Sequence, residues 1–263
     1  MYTLFALTAP RDQNDAVDVR LRREMEWLVP LVAALVSISP LFRPLGLISQ
    51  DTQSWINAKI AEYEADDDGI PQQLIEEFDR LSADDRVTIL DNPRAFADLT
   101  LDTIRKMRAD GYDGNRIAAT TGGTGVAGSL TRINYDKPHD RGVLSIELPM
   151  RDKEDIWFSD PSIMRTMLEA VVAHAPDPLW ACAYPKMYVG MQKNLFQNRR
   201  NFGWMGYTAE LLTEPGPLLA VSSVGNGTFM QLKPSMMTLH EADVEQCNEA
   251  EAYLCDKGVL PLM

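Results

Sequence analysis

Apolar residues recur at three- and four-residue intervals through Val17, Leu21, Leu28, Leu31 and Leu35, which predicts an amphipathic helix over about Asn14–Ser37. Pro30 lies inside it and is expected to kink or break it, because proline has no amide hydrogen for the helical ladder. Ser39-Pro40 then ends the helix, and Tyr2–Leu7 before it reads as a short strand. Asp51 is placed to cap a second helix bearing Trp55, Ile56, Ile60 and Tyr63. Pro71 is placed to open a third, with Leu74, Ile75, Phe78 and Leu81 on one face. Leu99–Ala109 is expected as a fourth, stopped by Asp110-Gly111.

The period then shortens towards two. Ser129–Tyr135 alternates imperfectly through Leu130, Ile133 and Tyr135, and Arg116–Thr120 is a weaker strand before it. A turn over 136–142 leads to a returning strand, Gly142–Leu148. Asp160-Pro161 is a capping carboxylate followed by proline at the first helical position, ahead of the stripe Ile163, Met164, Met167, Leu168, Val171 and Val172. Pro176 closes that helix, and Leu179–Tyr184 reads as a strand. Leu218–Val224 and Thr228–Lys233 flank Gly225-Asn226-Gly227, residues that accept the positive φ of a tight hairpin. Glu241–Asp256 is a last helix with Val244, Cys247 and Leu254 inward, and Gly258 terminates it. Helices first, strands in the middle, then helix and hairpin imply an α+β fold: a mainly antiparallel sheet flanked by helices. We read residues 1–263 as one domain with an acidic helical segment at about 50–113.

Charge sharpens this picture. Acids outnumber bases by 38 to 25, for a net charge of -13. Such a surface repels phosphate backbones and anionic lipids, so no direct nucleic-acid or membrane partner is expected, whereas a basic protein partner is favoured. Ten acids and one base, Arg80, lie between Glu62 and Asp85, and this stretch carries nine of the net negative charges. Glu62, Glu64, Asp66, Asp67, Asp68, Glu76, Glu77, Asp84 and Asp85 are the candidate partner-binding residues within it, beside Asp79. They would steer a basic partner into contact, and the plain alternative is a solvated helix face. The three cysteines suggest reduced thiols rather than a disulfide framework. No export signal is evident, and the longest apolar run, Leu28–Ile38, falls short of the ~20 residues of a membrane span, which points to the cytoplasm.

Catalytic signals are weak. Gly123–Gly128 matches the dinucleotide pattern G-x-G-x-x-G, with Glu147 near the distance of a ribose-binding acid. The pattern needs a helix after the loop, and the next segment looks extended. A nucleotide-binding enzyme using this loop is therefore the alternative, and a non-catalytic secretion-system adaptor is another. His139, His174 and His240 stand apart from one another, so no metal, cofactor or catalytic group is expected.

Several segments carry a resemblance. They are the helix after Asp160 running into Ala175-Pro176-Asp177-Pro178-Leu179-Trp180, the run Phe202-Gly203-Trp204-Met205-Gly206-Tyr207, the hairpin at Asn226-Gly227-Thr228, and the helix ending in Gly258-Val259-Leu260-Pro261. With the N-terminal strand and the helix ending in Ile38-Ser39-Pro40-Leu41-Phe42, they resemble the bacterial immunity protein 52 family of polymorphic toxin systems. The likeness runs from about residue 155 to the end and loosely over the first 45, and no motif matches across 50–113. The resemblance implies an α+β fold, no catalysis, and tight binding to a cognate toxin, commonly a nuclease. Type VI secretion effector immunity proteins are the comparison it suggests. It also marks Trp180, Gly203, Trp204 and Tyr207, which sit among apolar neighbours and are read as scaffold. The apolar helices would either pair two copies into a homodimer or fill one core.

Overall fold

The computed structural model describes residues 1–10, 15–64, 71–112, 114–122, 126–134 and 141–263, apart from the side chains of Gln50, Tyr63, Glu64 and Gln72. Strand β1 (Tyr2–Thr8) is buried along its length and leads to helix α1 (Val17–Ile38). A two-residue strand, β2 (Gly46–Leu47), precedes the acidic helices α2 (Gln50–Glu64) and α3 (Gln72–Asp84). Strand β3 (Val87–Thr88) returns beside β2, and helix α4 (Pro93–Ala109) comes after it. Strands β4 (Asn115–Thr120), β5 (Ser129–Asn134) and β6 (Gly142–Glu147) form a meander. Then come α5 (Pro161–His174), β7 (Pro178–Pro185) and the short α6 (Lys186–Gly190). Strand β8 (Met205–Thr208), the hairpin of β9 (Ala220–Val224) and β10 (Gly227–Gln231), and helix α7 (Glu241–Asp256) complete the chain.

The strands join in one ten-stranded antiparallel sheet, in the order β3-β2-β4-β5-β6-β1-β7-β8-β10-β9. This is the α+β class that the sequence implies. One face carries the helices. Arg132 of β5 donates from Nε to Glu24 of α1 at 2.8 Å and from Nη1 to Thr8 at 3.1 Å, and Trp27 donates to the same carboxylate. Arg165 of α5 lies over the Phe229 ring of β10. The other face is covered at its centre by the C-terminal part of the chain: Arg200 lies over Phe5, and Trp180 meets Phe202 edge-on. No helix of the described residues is long and apolar enough to cross a membrane.

Local signals explain most helix ends. Asp160 accepts from the Ser162 amide at 2.8 Å and caps α5. Gly258, at φ +75, closes α7, with Val259 N bonded to Leu254 O and Gly258 N to Cys255 O, the paired closure that a left-handed residue permits. At the hairpin only Gly225 has positive φ (+57), so Asn226 does not adopt the left-handed region expected of it. Glycine at the first of two turn residues is the requirement of a type II′ turn.

Other expectations are corrected. Helix α1 starts at Val17 and runs unbroken through Pro30, while Asn14 lies outside the described residues. Pro30 and Glu26 are exposed, so the carbonyl that loses its donor faces solvent, while Leu28, Leu31 and Val32 hold the helix to the core. Ser49 caps α2 in place of Asp51, accepting from the Thr52 amide at 3.2 Å. Helix α4 begins at Pro93, with Asn92 as its cap, rather than at Leu99. Strands β2, β3 and β8 add to those that the sequence pattern predicts. The end of Ser129–Tyr135 and the turn bearing His139 lie outside the described residues.

Strand β5 decides the reading of the glycine-rich loop. Residues 123–125 lie outside the described part, but β5 starts at Ser129, immediately after Gly128. The strand–loop–helix unit that would present a helix N-terminus to a pyrophosphate is not formed.

Candidate partner-binding surface

Helices α2 and α3 form an arm with a small apolar centre of its own. Trp55 of α2 meets Phe78 of α3 edge-on at 5.8 Å, and Ile56 and Phe78 are buried without joining the main core. The base of the arm is pinned by Asp85, which accepts from the Ser49 amide at 2.8 Å. The Ser49 side chain beside it holds the Asp85 carboxyl below the usual carboxylate range. Asp85 therefore ties the start of α2 to the end of α3.

The remaining candidates divide. Glu62, Glu76, Glu77 and Asp84 are exposed on the arm. Glu62 pairs with Lys59 at 2.8 Å and Asp84 with Arg80 at 3.6 Å, both within one helix and open to water, where such pairs contribute little. The side chain of Glu64 and all of Asp66, Asp67 and Asp68 lie outside the described residues. Two apolar side chains placed inward by the sequence pattern, Trp55 and Ile75, are each 37 % exposed on this arm.

The second group sits on the sheet. Trp180 and Trp204 are fully buried, and Tyr207 nearly so. Trp204 donates from its backbone to Ala183 at 2.8 Å and from its indole to Lys233 at 3.0 Å. Gly203 has φ +112, and a Cβ there would lie 2.4 Å from the Ala183 carbonyl. Tyr207 pairs with Ala181 across β7 and β8. These residues hold β8 against β7; they present no surface.

Beneath them lies a buried polar cluster that the sequence does not reveal. Glu251 of α7, 1 % exposed, accepts from the amides of Phe202 at 2.9 Å and Leu195 at 2.8 Å, with the Tyr188 hydroxyl at 3.2 Å. Burial raises its carboxyl above the ordinary glutamate range against these bonds. Cys182 and Cys247 are fully buried nearby, and burial pushes the Cys247 thiol up to about 12, so it stays protonated at neutral pH. His174 ends α5 and His240 precedes α7. Among the described residues, no three His, Cys, Asp or Glu are grouped to share a metal ion.

The surface chemistry on offer is thus an acidic, partly apolar pair of helices joined to the β2 end of the sheet. A scan of the chain against protein-family models finds no match, and a search of curated proteins finds none either.

Proposed function

We propose that this chain is an immunity protein that binds and neutralises a cognate bacterial toxin in the cytoplasm. The toxin would be a nuclease-type secretion effector, held so that its active site or assembly surface is covered. The arm carries the reading: exposed Glu62, Glu76, Glu77 and Asp84 lie on the same two helices as exposed Trp55 and Ile75, in a chain of net charge -13. A nuclease must show basic residues to phosphate, and an acidic surface with an aromatic anchor complements that face. The segments resembling immunity protein 52 support the same reading, and they form the sheet that carries the arm rather than the arm itself.

Co-expression with the neighbouring toxin gene tests it. Growth is expected to be rescued, and the two proteins to co-elute on size exclusion. Loss of both would overturn the reading. A stable complex without rescue would instead make the chain an adaptor.

A further inference from the structure

We propose that the groove between the outer edge of β4 and helix α4 binds an extended peptide bearing a carboxylate, which adds as a strand beside β4. On its inner side β4 pairs with β5 from Asn115 to Thr120. On its outer side, among the described residues, β2 reaches it at one pair, Gly46 with Thr120. The direction of the main-chain groups is set by Thr121, whose amide donates to Gly128 O at 2.9 Å on the β5 side. Antiparallel strands turn successive residues alternately to one neighbour and the other. Ala119, Ile117 and Asn115 therefore bond towards β5, and Thr120, Ala118 and Arg116 point outward. Thr120 is met by Gly46 and by Arg86, whose Nη1 donates to its carbonyl at 2.7 Å. Ala118 and Arg116 lie beyond the reach of β2.

Those two residues form one wall of a cavity of about 170 Å³, with Thr100, Thr103 and Met107 of α4 opposite and Leu47 at its end. Leu47 and Thr103 also line a second cavity of about 320 Å³, together with Gln53, Asp102 and Lys106. Such a volume suits a ligand site. Thr100 is 2 % exposed and its hydroxyl has no hydrogen-bond partner among the described residues, although it borders the smaller cavity. A strand-edge ligand gains main-chain bonds from the edge and drops alternate side chains into the slot. Leu47 and Met107 make that slot apolar, so it takes an aliphatic side chain. Charge sets the ligand's sign: Arg116 stands at the small cavity and Lys106 at the larger one. Asp102 lines only the larger cavity, so the ligand carboxylate belongs at Arg116. This site rests on main-chain geometry and goes beyond the toxin reading, since it takes an acidic segment and the arm takes a basic one.

Fluorescence anisotropy on the full chain tests it with two labelled probes. One is Gly-Thr-Val-Thr-Val-Glu with an amidated end, the other Gly-Thr-Val-Thr-Val-Gln with a free end. Saturable binding of at least one is expected, and the tighter probe tells whether a side-chain or a terminal carboxylate is read. Arg116→Glu should weaken it about tenfold or more. Ala118→Pro removes an outward N–H and spares the β4–β5 ladder, so it should weaken binding to a similar degree with an unchanged thermal melt. Amide exchange gives an arm that needs no ligand and no variant: Arg116 and Ala118 should exchange faster than Ile117 and Ala119, and slow when peptide is added. Failure of both probes to saturate, binding indifferent to Arg116→Glu, or slow exchange at Ala118 in the free protein would each overturn the proposal.

Discussion

Glu251 accepts three hydrogen bonds in a dry environment, and burial still keeps its carboxyl raised. The folded protein therefore holds this proton at pH values where the unfolded chain, near the ordinary 4.5, has released it. Its contribution to stability is largest below that value and declines as pH climbs towards the raised one. Glu251→Gln removes the titration and turns one acceptor into a donor facing an amide, at a cost of about 1–3 kcal/mol. Urea unfolding at a series of pH values should show the gap between wild type and this variant narrowing as pH rises; a constant gap would mean that Glu251 is ordinary. Gly203→Ala belongs to the same scale. It combines a disfavoured φ with a clash against Ala183, and should cost about 2–6 kcal/mol in the same measurement.

Among the elements, the joint between α1 and the sheet rests on a charge pair, Glu24 with Arg132, whose side chains are 7 % and 0 % exposed. Arg132→Met takes a fully buried guanidinium away from Glu24 and should lower stability by about 3–5 kcal/mol. The double change Glu24→Leu with Arg132→Met should recover most of that loss in chemical denaturation, because a buried pair costs desolvation on both sides. The elements legible in the sequence are those whose ends are set locally, such as α5 behind Asp160-Pro161, α7 ahead of Gly258, and the hairpin at Gly225. Strands β2 and β3 have two residues each and exist only through their partners, so no local periodicity could announce them. The acids of the candidate site are equally plain in the sequence. The role of Asp85 is hidden there because its bond to Ser49 joins residues 36 apart, and the exposure of Trp55 because the arm is too small to bury it.

For the whole molecule, the arm sets how a partner arrives. Reversing Glu62, Glu76 and Glu77 to lysine should slow association with the toxin about tenfold or more at low ionic strength, measured by stopped flow. Most of that difference should vanish near 1 M salt, where screening acts over ~3 Å. An unchanged rate would leave the acids as solubilising groups only. The position of β1 governs how the molecule is made. It precedes every other strand along the chain, yet it occupies the middle of the sheet, with Thr3 opposite Glu147 on one side and Tyr2 opposite Pro185 on the other. Synthesis must therefore run on through Pro185 before the strand's second neighbour exists, which makes the waiting strand a natural client for chaperones during translation.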